Sequence, residues 1–456
     1  MRPAFAFIIS VLAAAINATA QQAPDSLYVS ITDLPDVSVF LPAPSDTASM
    51  EFADDFYQWQ WGVKQRTSLR GQQASDDSRY GIENMASIFG TVLNITINSE
   101  NTPAIYRLLS KAARTGAQST FSAKSHFYRK SPLQQLNQQP WGEYDTNTDT
   151  GSYPSAHAAM GWASALVLAE MYPDLQDRIL SRGFEYGQSR VITGAHWQSD
   201  VDAGRLCAAA ALARMHSDSQ FGNDMQAAQT EYRHLIQDSN PTVAGWPQGE
   251  NFLPVAVDTV SNRYYGDVIG LWHMKPERTT ARGTEAVADA CNTDSALLVT
   301  FAPAMGIGDI SLDSVPALLR LIGEARSAFI QSATQLSATK FRKRPFVKLG
   351  GPTLLPAGEQ EAATTSSFPS TDAALGWGLA LILAELMPGC QNAILQRGYE
   401  YGRSSIITRY HYPSDVQAGR NLATAVVARL HASPDFTSLF QATQAQLTPH
   451  SPEQEP

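Results

Sequence analysis

An all-α fold built from two tandem helical bundles is what this sequence predicts, and three observations predict it. Apolar residues recur at helical spacing between start and stop signals, with few of the alternating patterns that mark strands. Segments of the first half reappear in the second half at a nearly constant separation. Hydrophobic residues make up 43% of the 456 and charged residues only 17%, the composition of an ordinary globular protein.

In chain order, Arg2 gives a positive start and Ala4 to Ile16 an apolar stretch too short to span a bilayer. Ala18-Thr19-Ala20 before Gln21 then gives a small-residue cleavage site. Residues 1–20 therefore read as an export signal, and the mature chain as periplasmic or secreted. Residues 21–39 form an N-terminal segment, and a first repeat occupies 40–236. Within it Ser155 to Met171 reads as a helix ended by Pro173, Leu175 to Ser189 as a second, and Trp197 to His216 as a third. Phe56, Tyr57, Trp59 and Trp61 are assigned to core packing on an earlier helix. Asp238 to Pro247, with its Asn-Pro and Gly-Trp-Pro signals, marks a linker. A second repeat fills 237–448, and a tail follows at 449–456. The apolar runs near Val167 and Leu381 are broken by Glu170 and Glu385, so no membrane insertion is expected.

The duplication is legible residue by residue. Gly-Phe-Glu-Tyr-Gly at 183–187 returns as Gly-Tyr-Glu-Tyr-Gly at 398–402, and Tyr153-Pro154-Ser155 as Phe368-Pro369-Ser370. His196 and Asp200 return as His411 and Asp415, again 215 positions on. Arg129-Lys130-x-Pro132 matches Arg342-Lys343-x-Pro345 after 213, so an intervening loop gained two residues. The period far exceeds that of solenoids, so each copy is expected to be a whole domain, the pair packing as a pseudo-dimer.

A net charge of −10 argues against a nucleic-acid partner, which needs basic patches, but leaves room for a small anion held by local cations. Three cysteines allow at most one internal disulfide, with Cys291 and Cys390 the candidate pair and Cys207, in an alanine-rich run, a buried thiol. They form no metal pattern.

The chemistry gathers between Lys124 and Asp200. His196 and Asp200 stand at i and i+4, one face of a helix, so Asp200 can fix the tautomer of His196 and free its other nitrogen to attack. Arg190 and Lys124 are the candidate anion binders. The helix start at Ser155 and Ala156 offers backbone N–H groups to a phosphate, and His157 in that first turn is placed to protonate a departing alkoxide. The remaining histidines (His126, His216, His234, His273, His431 and His450) have no partner pattern and read as ordinary structural residues.

These motifs resemble the three-part signature of the class A bacterial nonspecific acid phosphatases, within the type 2 phosphatidic acid phosphatase and vanadium haloperoxidase superfamily. That signature is Lys-x6-Arg-Pro, then Pro-Ser-Gly-His, then Ser-Arg-x5-His-x3-Asp. The third part is complete here in Ser189, Arg190, His196 and Asp200; the second is Pro154-Ser155-Ala156-His157, with Ala for Gly. The resemblance runs from Leu41-Pro42 to about Tyr232. It implies an all-α fold and hydrolysis of small phosphomonoesters through a phosphohistidine on His196. Asp200 would orient that ring, and His157 would act as acid and then base. Lys124, Arg190 and the Ser155–Ala156 start would hold the phosphate, with no metal or other cofactor.

The pattern also breaks. Lys124 plus six residues reaches Ser131 rather than Arg, leaving Ser131 as a neutral donor to phosphate. The second repeat keeps Arg344, His411 and Asp415 but has Ser337 for the Lys, Asp372 for the acid His and Ser405 for the Arg, so it reads as a degenerate copy. Arg344 is a candidate to complete the first site across the interface. Phosphotransfer at the same site, and a non-catalytic phosphate-binding or scaffold protein, are the alternative functions. Asp145, Asn147, Asp149 and Gly151 superficially fit a calcium loop, but the Gly falls one position late and Ala156 stands where a Glu is needed.

Overall fold

The computed structural model describes residues 27–142, 151–236, 245–257, 261–308 and 311–447. The leader, Asp145, Asn147 and Asp149 of the calcium-like loop, most of the linker and the 449–456 tail lie outside them. Among the described residues the chain is helical and has no strand, the all-α class expected. No described helix is long and apolar enough to cross a membrane.

Ten helices position the site: α1 (Phe52–Gln65), α2 (Pro103–Gln118), α3 (Ala156–Met171), α4 (Gln176–Thr193), α5 (Gln198–His216), α6 (Asn262–His273), α7 (Pro316–Thr339), α8 (Thr371–Leu386), α9 (Gln391–Ile407) and α10 (Pro413–His431). Ser155 caps α3, its Oγ accepting the Ala158 N–H at 3.2 Å, and Ser370 caps α8 in the same way through Ala373. In α3 every residue after Ala156 is buried, and in α8 every residue after Asp372. A helix apolar all round must be enclosed on all sides. α2, α4 and α5 pack on α3, and α7, α9 and α10 pack on α8.

The two bundles are not closed separately. α3 also packs on α10, α5 on α8 and α1 on α6, and one contiguous apolar cluster draws on both halves, with Leu166 and Leu206 joined to Leu381 and Leu422. Trp162 Nε1 donates to Thr424 Oγ1 across this boundary at 3.2 Å. The 27–39 stretch is a strap rather than a loose leader. Tyr28 and Val37 are buried, Gln391 Nε2 donates to the Asp33 carbonyl at 3.0 Å, and the Asp36 N–H donates to Asn392 Oδ1 at 2.9 Å.

One sequence expectation fails for a physical reason. The buried face of α1 is Asp55, Gln58 and Gly62, while Phe56, Tyr57 and Trp59 are only half-buried and Trp61 is exposed. Polar Asp55 goes inward because it meets a buried arginine, and Gly62 because a Cβ there would come within 2.6 Å of the Val191 carbonyl oxygen. All three cysteines are free: Cys207 buried, Cys291 exposed and Cys390 half-buried.

Candidate active site

α4, α5, the turn between them and the start of α3 bring the predicted residues to one place, and His196 stands in that turn rather than on one helix face with Asp200. α4 runs past the expected end at Ser189 to Thr193 and stops at Gly194, whose φ of +82° is the left-handed conformation glycine adopts freely. Arg190 thus sits on the last turn of a helix, and its carbonyl accepts the His196 N–H at 3.2 Å. This tie sets where His196 stands relative to the arginine.

His196 is oriented by two acceptors on the same side of its ring. Nδ1 lies 2.9 Å from the Ser152 carbonyl oxygen and 3.5 Å from Asp200 Oδ2. A carbonyl can only accept, so Nδ1 carries the proton and Nε2 keeps its lone pair. The sequence named Asp200 for this duty; the nearer partner is the Ser152 carbonyl, which a residue-type motif does not display. Burial lowers the proton affinity of His196, the Asp200 interaction opposes that, and Arg190 and Lys124 lower it further. Both cations therefore lie within electrostatic reach of the ring.

Asp200 is fully buried. Burial alone would raise its pKa, but Arg129, His196 and the Trp197 N–H hold it below the usual carboxylate range. Arg129 Nη1 donates to Asp200 Oδ1 at 2.7 Å and Nη2 to Asp55 Oδ2 at 2.6 Å, so its guanidinium lies between two buried carboxylates. Neither Arg129 nor Asp55 was assigned a site role from sequence. The Arg129-Lys130 spacing was the available signal.

His157 is buried, its ring stacked on Tyr186 with centroids 4.4 Å apart. Its Nε2 lies 2.8 Å from the Asp77 carbonyl oxygen and so bears the proton, leaving Nδ1 as the position that gains one on acidification. Burial, then Arg190, pushes this imidazole well below its ordinary value. Asp77 is anchored in turn, its carboxylate taking the Ser189 hydroxyl at 2.6 Å and both Arg182 Nη groups. Ser189 of the third motif thus secures the residue whose backbone carbonyl holds His157. Lys124 Nζ donates to the Gly151 carbonyl at 2.8 Å, and burial brings its pKa down to about 8.

Ser131 has a structural task beside the donor role expected of it. Its Oγ accepts the Gln134 N–H at 3.3 Å while Gln134 Oε1 receives the Ser131 N–H, a capping box on the short helix Pro132–Leu136. The corresponding Arg344 has the same backbone conformation, φ −62° and ψ 153° against −64° and 161°. Its side chain turns into its own half, with Nη1 3.0 Å from His411 Nε2, so it does not complete the first site. Ser131→Arg should therefore place a guanidinium beside His196. We expect KM for an aryl phosphate to fall about tenfold, at a cost of about 1 kcal/mol for the lost cap. An unchanged KM would refute that placement.

The supporting contacts recur around His411. Arg342 bridges Asp267 and Asp415, Arg397 and Ser404 hold Asp289, and His411 Nδ1 faces the Ser367 carbonyl at 2.6 Å. The acid His157 and the cations Lys124 and Arg190 do not recur, Asp372, Ser337 and Ser405 standing in their places. Asp372 Oδ2 lies 3.6 Å from His411 Nε2, and burial brings Asp415 up to about 6 where Asp200 is held low.

Comparison with known proteins agrees with this geometry. Residues 104–223 match the PAP2 superfamily, a span that contains every assigned group from Lys124 to Asp200. The chain is 38% identical to the non-specific acid phosphatase of Providencia stuartii over 215 residues, 46% of this chain and 87% of that protein. It is 37% identical to the Salmonella typhimurium non-specific acid phosphatase over 204 residues, 44% and 80% of the two chains. An acid phosphatase of Zymomonas mobilis is 32% identical over 198 residues, 43% and 75%. The chain belongs to the PAP2 superfamily, among its class A non-specific acid phosphatases.

Proposed function

We propose that the chain is an exported phosphomonoesterase that works through a phosphohistidine on His196, and that its second half is a degenerate copy of the first. The observation that carries this reading is the His196 ring. Its Nδ1–H is committed to the Ser152 carbonyl and Asp200, which leaves the Nε2 lone pair for phosphorus. Arg190 and Lys124 supply positive charge for a dianion and disfavour a metal ion at the same place. The Arg2 to Ala20 leader supports export.

Nε2 of His196 attacks phosphorus, the ester P–O bond breaks, and the leaving oxygen takes a proton from Nδ1 of the His157 imidazolium. Neutral His157 then accepts a proton from water as its oxygen bonds to phosphorus and the N–P bond breaks, which restores both rings. In the second half, Asp372 stands 3.6 Å from His411 Nε2 in place of the acid, and Ser337 and Ser405 replace two of the cations, so neither a proton donor nor a pocket for a dianion remains.

The test is hydrolysis of an aryl phosphate, with chelator present, across pH. The depressed His157 needs acid to become imidazolium, and the Lys124 ammonium is lost above about 8. We expect kcat/KM to peak below pH 6.5 and to fall on the alkaline side. A rate that is flat or rising through pH 8 would contradict these roles.

A further inference from the structure

Where the two halves meet, four titratable side chains converge away from the catalytic pocket. Glu170 is on the last turn of α3, His216 ends α5, Glu385 is on the last turn of α8, and His431 ends α10. Each residue of the first half has its counterpart in the second, 215 positions on. The imidazole rings lie 3.9 Å apart. All four side chains are between 4 and 8% exposed, and Phe221 and Phe436 lie against the two rings.

The contacts within this cluster are short but poorly aligned. His431 Nε2 is 2.9 Å from Glu385 Oε2 and His216 Nε2 is 3.0 Å from Glu170 Oε2, yet all four of these buried atoms lack an aligned hydrogen-bond partner. His216 Nδ1 faces Glu385 Oε1 at 3.8 Å. One ligand atom from each of His216, Glu385 and His431 can be chosen so that all lie within 4.8 Å of one another. Ligands of a tetrahedral zinc ion stand roughly 3.3 Å apart, given bonds of about 2.0–2.1 Å. The electrostatics also call for a cation, because two carboxylates and the negative ends of four helices meet in an apolar surround.

We propose that His216, Glu385 and His431 bind a structural divalent ion of the zinc type that clasps the two halves together. His216 ligates through Nδ1, His431 through Nε2 and Glu385 through a carboxylate oxygen. Glu170, against the other nitrogen of His216, is the positioning residue that orients the ring, the usual partner of a metal-bound imidazole. Imidazole and carboxylate donors suit zinc and its first-row neighbours better than calcium or magnesium. The ion cross-links residues far apart in sequence, so its binding free energy adds to that of folding.

The test uses the full untagged chain, stripped with chelator, loaded with Zn2+ or Co2+ and desalted. We expect about one ion retained per chain, a cobalt visible spectrum of low-symmetry four-coordinate type, and a higher unfolding temperature with Zn2+ than with chelator. The double variant His216→Asn, His431→Asn should lose the ion, and His196→Ala should keep it. No retention above background by the stripped wild-type chain, or an unfolding temperature indifferent to Zn2+ and chelator, overturns the proposal. So does loss of the ion in His196→Ala, which would place it in the catalytic pocket. If the double variant fails to fold, Glu385→Gln replaces it, and unchanged retention there also refutes the site.

Discussion

His196→Ala is expected to lower turnover of an aryl phosphate by about four powers of ten or more, because the atom that would form the covalent intermediate is gone. The loss should appear in kcat and kcat/KM together, with the fold intact, since the His196 side chain is partly exposed and fills no closed core. His411→Ala in the second half should leave kcat within about twofold, because Arg344 and Asp372 already occupy the space around that ring. Steady-state kinetics on the two purified variants decides between them. Substantial activity in His196→Ala would end the phosphohistidine reading, and a collapse in His411→Ala would end the view of the second half as degenerate.

The second large effect is on stability. Arg129→Ala strips the guanidinium from between Asp55 and Asp200, both nearly inaccessible to water, and leaves two buried carboxylates facing each other. Breaking a buried ion pair on one side typically costs about 3–5 kcal/mol. Arg342→Ala does the same to Asp267 and Asp415 and should cost a similar amount. The two variants should part company in activity. Arg129→Ala also removes the charge that holds Asp200 ionised behind His196, so its folded fraction should turn over slowly. Arg342→Ala should retain normal kcat per folded molecule. Denaturant unfolding measured beside kinetics separates the two effects, and equal kcat in both variants would remove Arg129 from the support of His196.

Much of the site was legible because its chemistry is local in sequence. The i, i+4 spacing of His196 and Asp200, the Pro-Ser-x-His helix start and the adjoining Ser189-Arg190 each specify geometry within one or two turns of helix. Asp200, His157 and Ser189-Arg190 are on the helices where the sequence placed them, whereas His196 stands in the turn before α5 and meets Asp200 because that carboxylate reaches back over the helix start. Ser152 and Asp77 were missed because they act through backbone carbonyls, whose direction leaves no mark on residue type, and Asp55 because it is a buried counter-charge met only in the fold. The aromatic run on α1 was misread for a related reason. Periodicity rewards apolar residues, whereas α1 turns a polar face inward to meet Arg129.

The sequence by itself determined the helical class, the recurrence of its halves, the candidate nucleophile with its carboxylate and candidate cations, and the loss of Lys, His and Arg in the second half. Tertiary structure decided what crosses between distant segments. It decided that Arg344 turns to His411 rather than to the first site, that Ser131 caps a helix, and that α3 and α8 share one core. It also gathered His216, Glu170, Glu385 and His431, none of which carries a motif. Helix periodicity and capping act over a few residues and are written in the chain. Which carboxylate meets which guanidinium or imidazole across hundreds of positions depends on how enclosed helices pack, and only the folded chain settles that.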